Sequence, residues 1–202
     1  METPDRTTNA EEDVSNGNMY LTSSDLELMS DGGEQVVLVM FPTTDVPAGA
    51  TIASAQILFD VDEVRPGQSD QDCTISISGE LGNSAAPTDT NADVSSRVTT
   101  NAAVIWQPPA SVATHEDLWT PDLSSVVNEI VNDGSWSSGS NMGFIFGHMS
   151  GSGVRWVESS RTNNGIHTPA LQWSLTNICG QDATVCVDDY EGVLSSHGYA
   201  CE

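Results

Sequence analysis

Apolar residues recur along this chain in short alternating runs separated by turn-forming residues. Residues 51–63 show this most cleanly. Ala53, Ala55, Ile57, Phe59 and Val61 fall on one face, and Ser54, Gln56, Asp60 and Asp62 fall on the other. A period of two belongs to a strand with one face on a core and the other toward solvent or a ligand. SSDLEL (23–28) and CTISISGE (73–80) have the same length and character, with Ile75 and Ile77 facing one way. QVVLVMF (35–41) is apolar on both faces, which predicts a central strand. AAVIWQPPA (102–110) reads as a short strand stopped by Pro108-Pro109, and MGFIFG (142–147), GVRWVES (153–159) and PALQWSL (169–175) supply closing strands. Asp31-Gly32-Gly33 and Pro47-Ala48-Gly49 mark turns.

One segment breaks the alternation. Leu123, Val126, Val127, Ile130 and Val131 recur at helical spacing and form a single apolar stripe. Thr120 suits the N-cap, Pro121 the first helical position and Gly134 the terminating position, so a helix over 121–133 is predicted to cover one end of the core. The chain then divides into a polar arm or first edge strand (1–18), an all-β sandwich (19–176) and a cysteine-bearing tail (177–202). Residues 81–102, rich in Asn, Ser, Thr, Asp and Ala, read as a long surface connection.

A length of 202 residues is enough for one substantial core. The 29 acidic residues against five cations, all arginine, leave a net charge of −24. Such a surface repels phosphate backbones and anionic lipid, so nucleic acid and membrane surfaces are not expected partners. No apolar run is long enough to span a bilayer. The same charge keeps an exposed protein soluble and concentrates divalent cations.

The cysteines Cys73, Cys179, Cys186 and Cys201 contain no C-x-x-C pair, which argues against a zinc ribbon or a thioredoxin-type site. In a secreted chain they would form disulfides, Cys179–Cys186 being the most local pair; the alternative is buried, reduced thiols. Nucleophile-elbow, zinc-protease, P-loop and dinucleotide-binding motifs are all missing, and His115, His148, His167 and His197 are scattered. The expectation is a protein that is not an enzyme.

Glu11, Glu12, Asp13, Asp25, Asp60, Asp62 and Glu158 are candidate calcium ligands, because a hard cation wants several oxygens and these carboxylates cluster before or within predicted strands. The competing reading makes them solvated strand faces and hydrogen-bonded carboxylates. Of the tryptophans, Trp106 and Trp136 lie beside turns, as core or lid residues or as platforms for a sugar ring. A binder would draw on the loops at 81–102 and 132–141.

Several blocks carry a resemblance. Asn9-Ala10-Glu11-Glu12, Ser23 to Leu28, Gln35 to Phe41, Val46 to Val64, Ser95-Ser96-Arg97, Trp106 to Pro109, Thr120 to Val131, Trp136 to Gly139 and Arg155 to Ser159 follow in order over residues 9–175. Together they resemble secreted jelly-roll modules of the broad DNRLRE type, found in large surface proteins and polysaccharide-active enzymes. The resemblance implies a jelly-roll β-sandwich and an extracellular role in carbohydrate binding or surface structure. Met40 stands where that pattern usually carries Arg, Trp156 and Trp173 replace smaller residues, and the tail lies outside the pattern.

Two functions follow as expectations. The first is an extracellular structural subunit, joined head-to-tail to copies of itself in a fibre or array through its terminal segments, with Val185, Val187 and Tyr190 filling pockets on a neighbour. The second is a secreted carbohydrate-binding module acting on an extracellular polysaccharide. A tail lying on another copy favours the first; a tail folded onto its own domain favours the second.

Overall fold

The computed structural model describes residues 8–42, 44–111, 113–161, 167–176 and 191–193. Two antiparallel sheets pack face to face. The first has the order β2-β1-β4-β9-β6-β7 and comprises β1 (Thr8–Asp13), β2 (Met19–Tyr20), β4 (Gln35–Phe41), β6 (Cys73–Glu80), β7 (Thr99–Trp106) and β9 (Met142–Gly151). The second has the order β12-β11-β5-β10-β3 and comprises β3 (Asp25–Leu28), β5 (Ile52–Glu63), β10 (Arg155–Glu158), β11 (Ala170–Leu175) and β12 (Glu191–Val193), with β8 (Asp117–Trp119) paired to β5. The chain crosses repeatedly from one sheet to the other, and the protein is an all-β sandwich with one short helix, α1 (Ser124–Val131).

The alternating positions set the core. Ile57, Phe59 and Val61 from β5 meet Ile75 and Ile77 from β6, Val37, Val39 and Phe41 from β4, and Phe144 and Phe146 from β9. Phe59 stacks on Trp106 with centroids 6.2 Å apart and meets Phe146 edge-on at 5.5 Å. Burying one such side chain contributes about 1.5–3 kcal/mol. At the start of β5 the alternation fails. Ile52 is buried and Ala53 exposed, because a bulge shifts the register opposite Ser174 and Leu175.

The helix is shorter than its sequence predicts. Thr120 cannot cap it, because its Oγ1 accepts from Ile57 N at 2.9 Å while its own amide donates to Ile57 O. Asp122 Oδ1 accepts from both Ala55 N and Ser124 N, so residues 120–123 pair with β5 and the helix begins only at Ser124. Val126, Val127, Ile130 and Val131 then enter the core. A side chain at Gly79 on β6 would collide with Ile130 and Val126, so glycine there lets the helix dock.

Residues 8–13 are not an arm but a strand, flanked on its outer side by β2 only at Glu11 and Glu12. They form β1, which lies between β2 and β4. The connection after β6 runs over the surface as far as Val98, and residues 99–102 belong to β7. The connection packs on the outer face of the first sheet, where Val94 joins Ala10, Leu38 and Ile145 in a second apolar cluster. Glu12 Oε2 accepts from the amides of Val94 and Ser95 at 2.9 and 2.8 Å. Arg97 pairs with Glu80 at 2.6 Å and Asp93 at 2.7 Å and donates to Ala85 O. Elsewhere the buried guanidinium of Arg155 donates to the carbonyls of Pro109, Pro108 and Gln71, fastening the loops that follow β5 and β7.

Candidate functional site

The outer face of the second sheet collects the acidic residues that its strands alternate outward. Glu158 lies opposite Asp25 in the β10–β3 pairing, and its neighbour Val157 points into the core. Glu158 is 2 % exposed, and its Oε2 finds no hydrogen-bond partner among the described residues. Asp62 sits beside it. Burial, and then the charges of Glu158 and Asp25, push the Asp62 carboxyl up to about 6. Next along β3, Glu27 is pushed up to about 8, first by burial and then by Glu11 and Asp25. Glu11 is raised as well, mainly by burial. Glu11 Oε1 accepts the Glu27 amide at 2.9 Å, so this side chain from the first sheet caps the edge strand of the second. Gln35, with its amide nitrogen turned toward them, reaches Glu27 O and Glu11 Oε1 at 3.3 Å each.

Asp60 leaves this strip for a different partnership. His115 Nδ1 lies 2.9 Å from Asp60 Oδ1, and His167 Nδ1 lies 2.6 Å from Oδ2. The imidazole rings stack with centroids 4.5 Å apart and 24° between their planes. The hydrogen bond to Asp60 raises the His115 pKa. His115 is placed by its backbone, which donates to Val61 O at 2.7 Å, and by a left-handed φ of 61°. His167, in the turn before β11, has a φ of 69°.

Beside this trio the outward side chains form rows across β8, β5 and β11. Asp117 faces Asp60. Trp119 faces Leu58, which faces Ala170. Gln56 faces Gln172. Leu118, Ile57 and Leu171 between them point into the core, so Trp119 turns a half-buried indole to the outside.

The structure brings together Asp25, Asp62 and Glu158 of the expected calcium ligands, with Glu11 alongside through Glu27. Asp60 faces the histidines instead. Glu12 is engaged by the loop amides, and Asp13 accepts from Ser15 and Asn16 in its own turn. Trp106 and Trp136 are not platforms: they are 3 % and 5 % exposed, and Trp136 Nε1 donates to Val46 O. Cys73 is a free thiol packed in the core, where burial raises its pKa. Cys179, Cys186, Cys201, Val185, Val187 and Tyr190 lie outside the described residues. Sequence reading missed His115, His167 and Trp119 as site residues. No local signal marks them: His115 and His167 lie outside the strands, and the three residues of β8 are too few to show a period.

No protein-family model and no curated protein matches this chain, so the resemblance to secreted jelly-roll modules stands on its sequence blocks. No helix among the described residues is long and apolar enough to cross a membrane.

Proposed function

We propose that this protein is an extracellular, non-catalytic module that binds a neutral polysaccharide on the outer face of its second sheet. The observation that carries the reading is the row Trp119–Leu58–Ala170, with the amides of Gln56 and Gln172 on one side and carboxylates on the other. An indole face offers apolar contact to a sugar ring, and flanking amides and carboxylates accept and donate at its hydroxyls. The acidic surroundings disfavour uronic or sulfated chains, so the ligand class is neutral glycan. The tail supports this reading too: Glu191–Val193 pairs with β11 of its own domain, Gln172 facing Val193 and Trp173 facing Gly192.

Affinity electrophoresis through gels cast with neutral and acidic polysaccharides tests the proposal. A neutral glycan should retard the wild type, and Trp119→Ala should lose most of that retardation. Circular dichroism should show Trp119→Ala folded like the wild type, so that lost retardation reports on binding. Equal retardation of the two forms, or none by any neutral glycan, would overturn it.

Assembly into a fibre or array is the second reading. Its support is the exposed apolar residues Ile105 and Val98, on and just before the edge strand β7, and Met149 on β9. Ile105→Lys would then reduce any assembly seen by sedimentation.

A further inference from the structure

We propose that Asp60, His115 and His167 form a binding site for a divalent transition-metal ion of the zinc class. The inference does not depend on the glycan reading. Among the described residues, this is the group of three His, Cys, Asp or Glu side chains whose ligand atoms all lie within 4.8 Å of one another.

The three residues come from three separate segments. Asp60 stands on β5, the long strand that pairs with β8, β10 and β11. His115 precedes β8 and is pinned by the mutual backbone bonds of residues 115 and 116 with Val61. His167 precedes β11, whose first residue Ala170 lies opposite Leu58. Both histidines adopt left-handed backbone angles, at φ 61° and 69°, and the one other non-glycine residue described with positive φ is Ala92. Such angles are uncommon for a side chain of this size and collect at functional sites. Each turns an Nδ1 to one oxygen of the same carboxylate.

Donor chemistry selects the metal class. Two imidazole nitrogens and one carboxylate oxygen suit zinc and its neighbours, whereas calcium asks for six to eight oxygens. Asp62 and Glu158 lie close enough for their charge to act on His115 and would help offset the charge of the ion. Three protein donors leave a fourth position, and the partial exposure of both histidine side chains, 54 % and 34 %, keeps it open to water or a ligand oxygen. A bound ion would tie the segments before β8 and β11 to β5.

The tail carries Cys179, Cys186, Cys201 and His197, which offer a competing zinc site, so the experiment must separate the two. The full chain, stripped of metal and with its thiols alkylated, is titrated with zinc chloride by calorimetry, with calcium chloride in parallel. Zinc should bind one to one, and His115→Ala/His167→Ala should weaken it at least tenfold, as should Asp60→Asn. Cobalt(II) loaded in place of zinc should show no thiolate charge-transfer band. Circular dichroism in chelator checks that each variant folds. If the double variant does not, the single His115→Gln, altered at a half-exposed side chain, replaces it. Zinc binding that survives these substitutions, that disappears on alkylation, or that is weaker than calcium binding would overturn the proposal.

Discussion

Glu11 and Glu12 are neighbours on β1, each 2 % exposed, and they lie on opposite sides of the first sheet. Glu12 turns outward beneath the 81–98 connection, where two amides donate to one of its oxygens. Glu11 turns toward the edge of the second sheet, where it receives the Glu27 amide but also faces Glu27 and Asp25, and its pKa rises. The larger surfaces differ in the same way. The outer face of the first sheet is covered by a loop that supplies donors: two amides for Glu12, and a guanidinium for Glu80 and Asp93. On the second sheet, Asp25, Glu27, Asp62 and Glu158 stand beside one another, and burial and the neighbouring charges raise the affinity of Glu27 and Asp62 for a proton. The loop makes one face part of the scaffold, while the other holds charge that a ligand or a proton can compensate.

The largest effect should come from taking a donor away from the covered face. Arg97→Ala leaves Glu80 and Asp93 without their shared partner and should cost about 2–4 kcal/mol in urea unfolding. A loss below half a kcal/mol would mean the loop is not held as the comparison requires. Glu12→Ala should cost less, about 1–3 kcal/mol, and should speed hydrogen exchange at the Val94 and Ser95 amides more than in the β4 core.

The acidic face of the second sheet should respond to pH. The folded pKa of Glu27, about 8, lies above its usual value of 4.5, so the folded state binds the extra proton between those limits. This contribution is fully present below about pH 4.5 and is lost as pH rises through 8. It amounts to something on the order of 1–2 kcal/mol once solvent screening of a half-buried group is allowed for. Because Glu11 and Glu27 titrate together, Glu27→Gln should flatten the slope over that range, and an unchanged slope would place its source elsewhere. Smallest should be Glu158→Gln. Removing one of two adjoining carboxylates and giving Asp62 a donor should leave stability unchanged or raise it by up to about 1 kcal/mol. A clear loss would mean that Glu158 is engaged as an anion.

The sequence displayed the scaffold far better than the site. Alternation in β5 and β6 and the double-faced β4 were legible because each residue's face follows from its parity along the strand. The helix start was not, because Thr120 and Asp122 spend their capping oxygens on β5 amides, a long-range choice that local propensity cannot see. β2 and β8 are too short to show a period. The acidic strip was partly legible, since Asp25, Asp62 and Glu158 each lie on the outward phase of a strand. The histidines were illegible for a plain reason: 55 and 107 residues separate them from Asp60, and only the pairings of β5 with β8 and β11 bring them back.

The buried guanidiniums have a consequence for how this molecule meets a protease. The chain has no lysine, and its arginines are Arg6, Arg65, Arg97, Arg155 and Arg161. Arg65 precedes Pro66, a bond that trypsin does not cut. Arg97 and Arg155 are held inside by salt bridges and carbonyls. In the folded protein, the described residues offer trypsin only the exposed Arg161. Cleavage after Arg97 or Arg155 therefore requires the loop or the strand that hides each to open first. Digestion rates at these two bonds become separate clocks, one for the cover of the first sheet and one for the heart of the second.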